Sequence, residues 1–148
     1  MPFQPVMERD GLRQGLTELR GALLGLHKAL IESERVGYEK TFGRIASPYQ
    51  FLHLLTSDAW FAWLRPVSQL ITEMDEMLEA EEPLTAAGAE VLSRQARALL
   101  VASAGADGFS GHYDEALQRD PDVVLAHAAA ARCFRTGIIA PERARGRG

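Results

Sequence analysis

The sequence predicts an all-α protein, a single-domain antiparallel helical bundle of four to five main helices. Three observations carry this. Leu12, Leu16, Leu19, Leu23, Leu26 and Leu30 follow one another at intervals of 4, 3, 4, 3 and 4, which puts six leucines on one narrow stripe of a long helix that must be buried against other helices. The spacing recurs in Trp60, Leu64, Val67, Ile71, Met74 and Leu78. No segment alternates β-branched and polar residues between turn dipeptides, as a half-buried strand would.

Residues 1–9, with Pro2 and Pro5, form a flexible leader. Asp10 is the expected N-cap of the first helix, which runs to about Val36 or Glu39, roughly 40 Å at ~1.5 Å per residue. Gly11, Gly15, Gly21 and Gly25 lie inside it, each costing up to ~1 kcal/mol against alanine, so packing of the stripe must outweigh them. Ser47-Pro48 is a helix start, serine capping and proline in the first turn. Phe51, Leu52, Leu54 and Leu55 follow as its apolar residues, and Thr56-Ser57-Asp58 breaks and recaps the chain. The next helix runs from Ala59 to about Ala80. Pro66 falls within it, and predicts either a kink near Ala62–Trp63 or a helix that begins at Arg65-Pro66. Thr85 caps a helix to about Ala102 with Val91, Leu92, Leu99 and Leu100 inward. After the glycine-rich stretch 103–111 come a short helix, His112–Gln118, and a last one capped by Asp120-Pro121-Asp122 that runs to about Arg135. Its inward face is Val124, His127, Ala128, Ala131 and Phe134, and Gly137 stops it. The domain spans 10–137; residues 138–148, with Arg143, Arg145 and Arg147, form a disordered basic tail.

The segment from Tyr113 through Asp120-Pro121 resembles the second helix and closing turn of a tetratricopeptide repeat. No second copy follows at a spacing near 34, and such repeats need neighbours to bury their faces. It reads as convergent helix-turn-helix chemistry that tilts the expectation towards interaction.

At 148 residues, 47% hydrophobic and 24% charged, the chain is sized for one ordinary globular core. A net charge of −4 argues against a nucleic-acid binder. No stretch nears ~18 consecutive apolar residues, so no membrane span is expected, and Met1–Pro5 lacks the features of a signal peptide. One cysteine, Cys133, suits the cytoplasm. There is no phosphate loop, no His-Glu-x-x-His, no cysteine pair and no nucleophile elbow, and no histidine follows a glutamate by three residues. Neither a metal nor a cofactor is expected, and catalysis is not the favoured reading.

Two candidate sites remain. At ~100° per residue, Glu34 projects about 40° from Leu12, His27 about 60° and Tyr38 about 80°. A carboxylate on an apolar face must be paired or protonated. One reading is a ligand pocket lined by His27, Glu34, Tyr38, Trp63 and Arg65; the other, preferred, is that Glu34 pairs with an arginine or hydroxyl of a neighbouring helix or sits where the bundle has ended. Glu34 and His27 are too far apart along one helix, about 10 Å, to act as an acid–base pair. The second site is an interface. If the first helix outruns its neighbours, Leu12, Leu16 and Leu19 would touch a partner protein or a second copy, while Leu23, Leu26 and Leu30 are core. In the aromatic cluster Trp60, Phe61 and Trp63, Trp60 falls on the core stripe and Phe61 is the candidate exposed anchor. Finally, Glu73, Asp75, Glu76, Glu79, Glu81 and Glu82 crowd the C-terminal end of a helix, where the dipole disfavours them. Arg94 or Arg97 should offset them, or a basic partner or the chain's own Arg-rich tail should dock there.

Overall fold

The computed structural model describes residues 4–136, and the side chains of residues 10–135. These residues form six α-helices and one 3₁₀ helix, where four or five main helices are expected: α1 Gln4–Phe42, α2 Pro48–Ser57, a 3₁₀ helix Ala59–Leu64, α3 Arg65–Glu79, α4 Ala86–Leu99, α5 Phe109–Arg119 and α6 Pro121–Thr136. No strand occurs among the described residues, and no helix among them is long and apolar enough to cross a membrane. The stop at Gly137 and the basic tail lie outside the described residues.

The first helix is longer than its caps suggest. It begins at Gln4 and runs 39 residues, roughly 58 Å at ~1.5 Å each. Pro5 sits in the first turn, where its missing N–H is no loss, so Asp10 is an interior residue and not a cap. α6, α3, the 3₁₀ helix and α4 all pack on α1, α6 most extensively. Together they cover the leucine stripe: Leu16, Leu19, Leu23, Leu26 and Leu30 are all buried, and only Leu12 is half-exposed. The interface expected at Leu16 and Leu19 is thus taken up by the chain's own core.

Gly21 and Gly25 lie on the opposite, exposed face of α1, with open space where a Cβ would stand. Changing both to alanine should raise stability by roughly 1–2 kcal/mol through helix propensity alone. The check is a rise in the thermal midpoint with an unchanged circular dichroism spectrum.

Caps place the later helices. Ser47 Oγ accepts from Gln50 N–H at 3.1 Å, Asp58 Oδ1 from Trp60 N–H at 2.8 Å, and Thr85 Oγ1 from Gly88 N–H at 3.0 Å. Of the two outcomes Pro66 allows, the chain takes the second: α3 starts at Arg65 with proline in its first turn. The preceding six residues coil as a 3₁₀ helix, in which i and i+3 eclipse. That change of period corrects the aromatic assignment. Phe61 and Leu64 share the inward face and are buried, Phe61 to 1% exposure, whereas Trp60 and Trp63 are half-exposed. Phe61 is therefore core and not an exposed anchor.

Two other faces match their expected positions only in part; in α4 Leu92 and Leu100 are buried and Leu99 packs against the core as expected. In α4 the buried line is Ala89, Leu92 and Ala96, and Val91 is exposed. In α6 Val123 and Ala130 are buried and Val124 is exposed, one residue from the expected stripe. The loop into α5 folds tightly: Ser103 N–H donates to the Ser110 carbonyl at 3.1 Å. A Cβ on Gly111 would lie 1.7 Å from the Ala106 carbonyl oxygen, so only glycine fits there.

The acidic end of α3 is offset from α1 and not from α4. Arg20 Nε donates to Asp75 Oδ1 at 2.7 Å, and Arg13 Nη1 donates to the Leu78 carbonyl at 2.8 Å. Leu78 is in the last turn of α3, where carbonyls lack helical partners. Arg97 instead lies over the Phe134 ring at 5.5 Å and donates to the Phe134 carbonyl at 3.1 Å.

Candidate functional site

Ser33 and Glu34 are the two buried polar side chains among the described residues. Their position follows from the leucine stripe, whose face they continue. Arg119, in the last turn of α5, reaches both: its Nη2 donates to Glu34 Oε2, and its Nε donates to Ser33 Oγ at 3.0 Å. Trp60 Nε1 donates to the Glu34 main-chain carbonyl at 3.2 Å. Three elements distant in sequence meet at this point. The guanidinium supplies the opposite charge that a carboxylate at 8% exposure requires.

Around this junction lie two aromatic groups, on either side of the 3₁₀ helix. Tyr38 contacts Phe42, Trp60 and Phe61, with ring centroids 4.8–6.0 Å apart, and Phe51 meets Phe61 at 5.8 Å. On the other side Trp63 meets Phe109 at 5.3 Å and stacks on His112 at 5.2 Å, and Phe109 stacks on Tyr113 at 5.4 Å. Trp63 Nε1 is buried and makes no hydrogen bond.

The five residues expected to line a pocket therefore do not converge. Tyr38 is joined to Glu34 through Trp60. Trp63 packs against α5, and Arg65 is exposed and donates to the Thr56 carbonyl at 3.1 Å. His27 is half-buried two turns earlier on α1, where burial lowers its pKa. Clefts lie elsewhere. One of about 400 Å³ is lined by Asp10, Arg13 and 80–84, and one of about 220 Å³ separates α3 from α4 at Pro66, Leu70 and Leu99. No group of three or more metal-binding side chains occurs among the described residues.

The chain matches no family model, and no curated protein or solved structure shows significant similarity to it.

The sequence places His127 on the inward face of the last helix but gives no sign of its pairing with Tyr113. Tyr113 is fully buried in α5, and its hydroxyl lies 2.6 Å from His127 Nδ1 on α6. Burial pushes the Tyr113 phenol well above its usual range and lowers the pKa of His127. The phenol thus keeps its proton and the imidazole is neutral, and the two share one hydrogen bond whose direction is set by the imidazole tautomer. The Phe109/Tyr113 pair at i, i+4 was the available signal for a buried aromatic face; nothing local marked His127 as its partner.

Both His27 and His127 are depressed below the unfolded value of 6.5. The unfolded chain therefore binds more protons just below that pH, so stability is full above ~6.5 and declines as pH falls through the folded-state values. Denaturant midpoints measured from pH 7.5 downwards should fall on acidification through this range, and His127→Gln should flatten the decline.

Proposed function

We propose that this chain is a non-catalytic protein-interaction domain, an antiparallel helical bundle that presents the α1–α2 end to another protein or to a second copy. The observation that carries this reading is the exposure of three large apolar side chains at that end. Phe42 closes α1 at 63% exposure, and Tyr49 and Leu52 stand on the outer side of α2 at 85% and 61%. The inner side of α2, Phe51, Leu54 and Leu55, is occupied by the core. Single exposed apolar residues are ordinary; tyrosine and phenylalanine grouped at one end are the composition of a binding surface.

The alternative, a small-ligand or cofactor pocket around Glu34 with an aromatic wall, has less support. Arg119 already answers the Glu34 carboxylate, and Trp63 and Arg65 are engaged elsewhere. Photo-crosslinking tests the interaction reading. A benzophenone side chain installed at Tyr49 in the native host should give a discrete polypeptide adduct, while the same probe at exposed Glu115 gives none. Equal labelling at both positions, or none at either, overturns it.

A further inference from the structure

Charge is segregated along this molecule. Residues 40–57 contain Lys40, Arg44 and no acid, whereas 73–82 contain six acids and no base. The two stretches are at opposite ends. The 3₁₀ helix meets α1 near Glu34 and Tyr38, and α3 ends beside Arg13 and Arg20. Arg13 and Lys40 are about 40 Å apart along α1 at ~1.5 Å per residue. Lys40 and Arg44 have no ion-pair partner among the described residues, nor have Glu81 and Glu82.

Shape is segregated in the same sense. The basic end projects Phe42, Tyr49 and Leu52. The acidic end has the cleft of about 400 Å³, with Ala80, Pro83 and Leu84 as its apolar lining and Asp10, Glu81 and Glu82 as its acids. Arg13 also lines it, but its guanidinium is turned to the Leu78 carbonyl. The volume is that of a small-ligand cleft, typically ~300–1,000 Å³, and accommodates one aromatic side chain.

We infer that the occupant of the α1–α2 end is a second copy of this chain, docked head to tail, with Tyr49 entering the 80–84 cleft and Lys40 and Arg44 facing Glu81 and Glu82. This rests on the interaction reading above and names its partner. Glu39 lies in the same turn but is already taken up by Arg35 and the Ile45 N–H, so an isologous dimer through this end would set Lys40 and Arg44 of one copy against those of the other, whereas the head-to-tail contact pairs opposite charges and opposite shapes. Such a contact is heterologous. It leaves a free knob and a free cleft after every addition, so it extends without closing unless the rotation makes a ring.

Sedimentation velocity of the full chain tests this, from micromolar to near-millimolar protein. In ~20 mM salt the mean mass should climb past a dimer with concentration. In ~500 mM salt, where the screening length drops from about 20 Å to about 4 Å, it should return to the monomer. Tyr49→Asp and the pair Glu81→Lys/Glu82→Lys should each weaken association at least tenfold with unchanged thermal midpoints. Mixed together they should form a 1:1 dimer and stop, since one supplies the intact cleft and the other the intact knob. A wild-type chain that stays monomeric throughout overturns the proposal, as does a mixture that fails to pair. If the chain is monomeric yet Tyr49 crosslinks to a different polypeptide or partitions onto vesicles of phosphatidylcholine with phosphatidylserine, the occupant is wrong. Crosslinking to another polypeptide leaves the interaction reading standing, whereas vesicle binding alone, without a polypeptide adduct, removes both.

Discussion

Leu16→Asp should prevent folding. Leu16 is fully buried beneath the helices that cover α1. Truncating a core leucine costs about 2–5 kcal/mol, and placing an unpaired carboxylate in the same space adds several more. Domains of this size hold only about 5–15 kcal/mol in total. The expected result is loss of helical circular dichroism or insoluble protein. Thr17→Asp, one residue away and exposed, should change stability by no more than ~0.5 kcal/mol. A folded Leu16→Asp chain that has merely lost self-association would instead return the N-terminal leucines to an interface, and would move the docking surface from the α1–α2 end to the other end of α1.

Arg119→Met should also be strongly destabilising. It leaves the Glu34 carboxylate buried beside Ser33 without its cation. Breaking a fully buried pair costs about 3–5 kcal/mol; the Arg119 side chain is 43% exposed, so water reaches one partner and a loss of about 2 kcal/mol is expected. Glu34→Gln in the Arg119→Met background should recover most of it, because the uncompensated charge is then gone. The measurement is a double-mutant cycle in denaturant. Near-additive losses would mean that the two side chains act separately and that Glu34 is satisfied by something other than Arg119.

The parts of this architecture written in short-range chemistry were legible. Ser47-Pro48, Thr85 and Pro66 each mark a helix start within one residue, because a cap or a missing N–H acts on the adjacent turn. The leucine stripe announced its own burial. What covers it did not show, and the stripe of α1 could be assigned equally to a second chain. Phe61 takes the inward position and Trp60 only a half-buried one because the chain there coils at 120° per residue and not at 100°. The face of α6 slipped by one residue because Ala126, Ala128, Ala129, Ala130 and Ala131 surround the helix with nearly equivalent small side chains. The pairing of Glu34 with Arg119 spans 85 residues; a buried carboxylate calls for a cation, but no local rule selects this one.

The dependence of α1 on α6 also has a temporal side. The stripe from Leu12 to Leu30 is made early, and Val123 and Ala130, which help to seal it, are made about a hundred residues later. At ~5–20 residues per second on the ribosome, the leucines wait on the order of 5–20 s for their cover. During that interval the nascent chain exposes its most adhesive surface, so chaperone capture and translation speed bear on its yield more heavily than on a chain whose contacts are local. A nonsense mutation anywhere before Val123 would make the delay permanent, and its product should be found with the degradation machinery and not as a shortened, working protein.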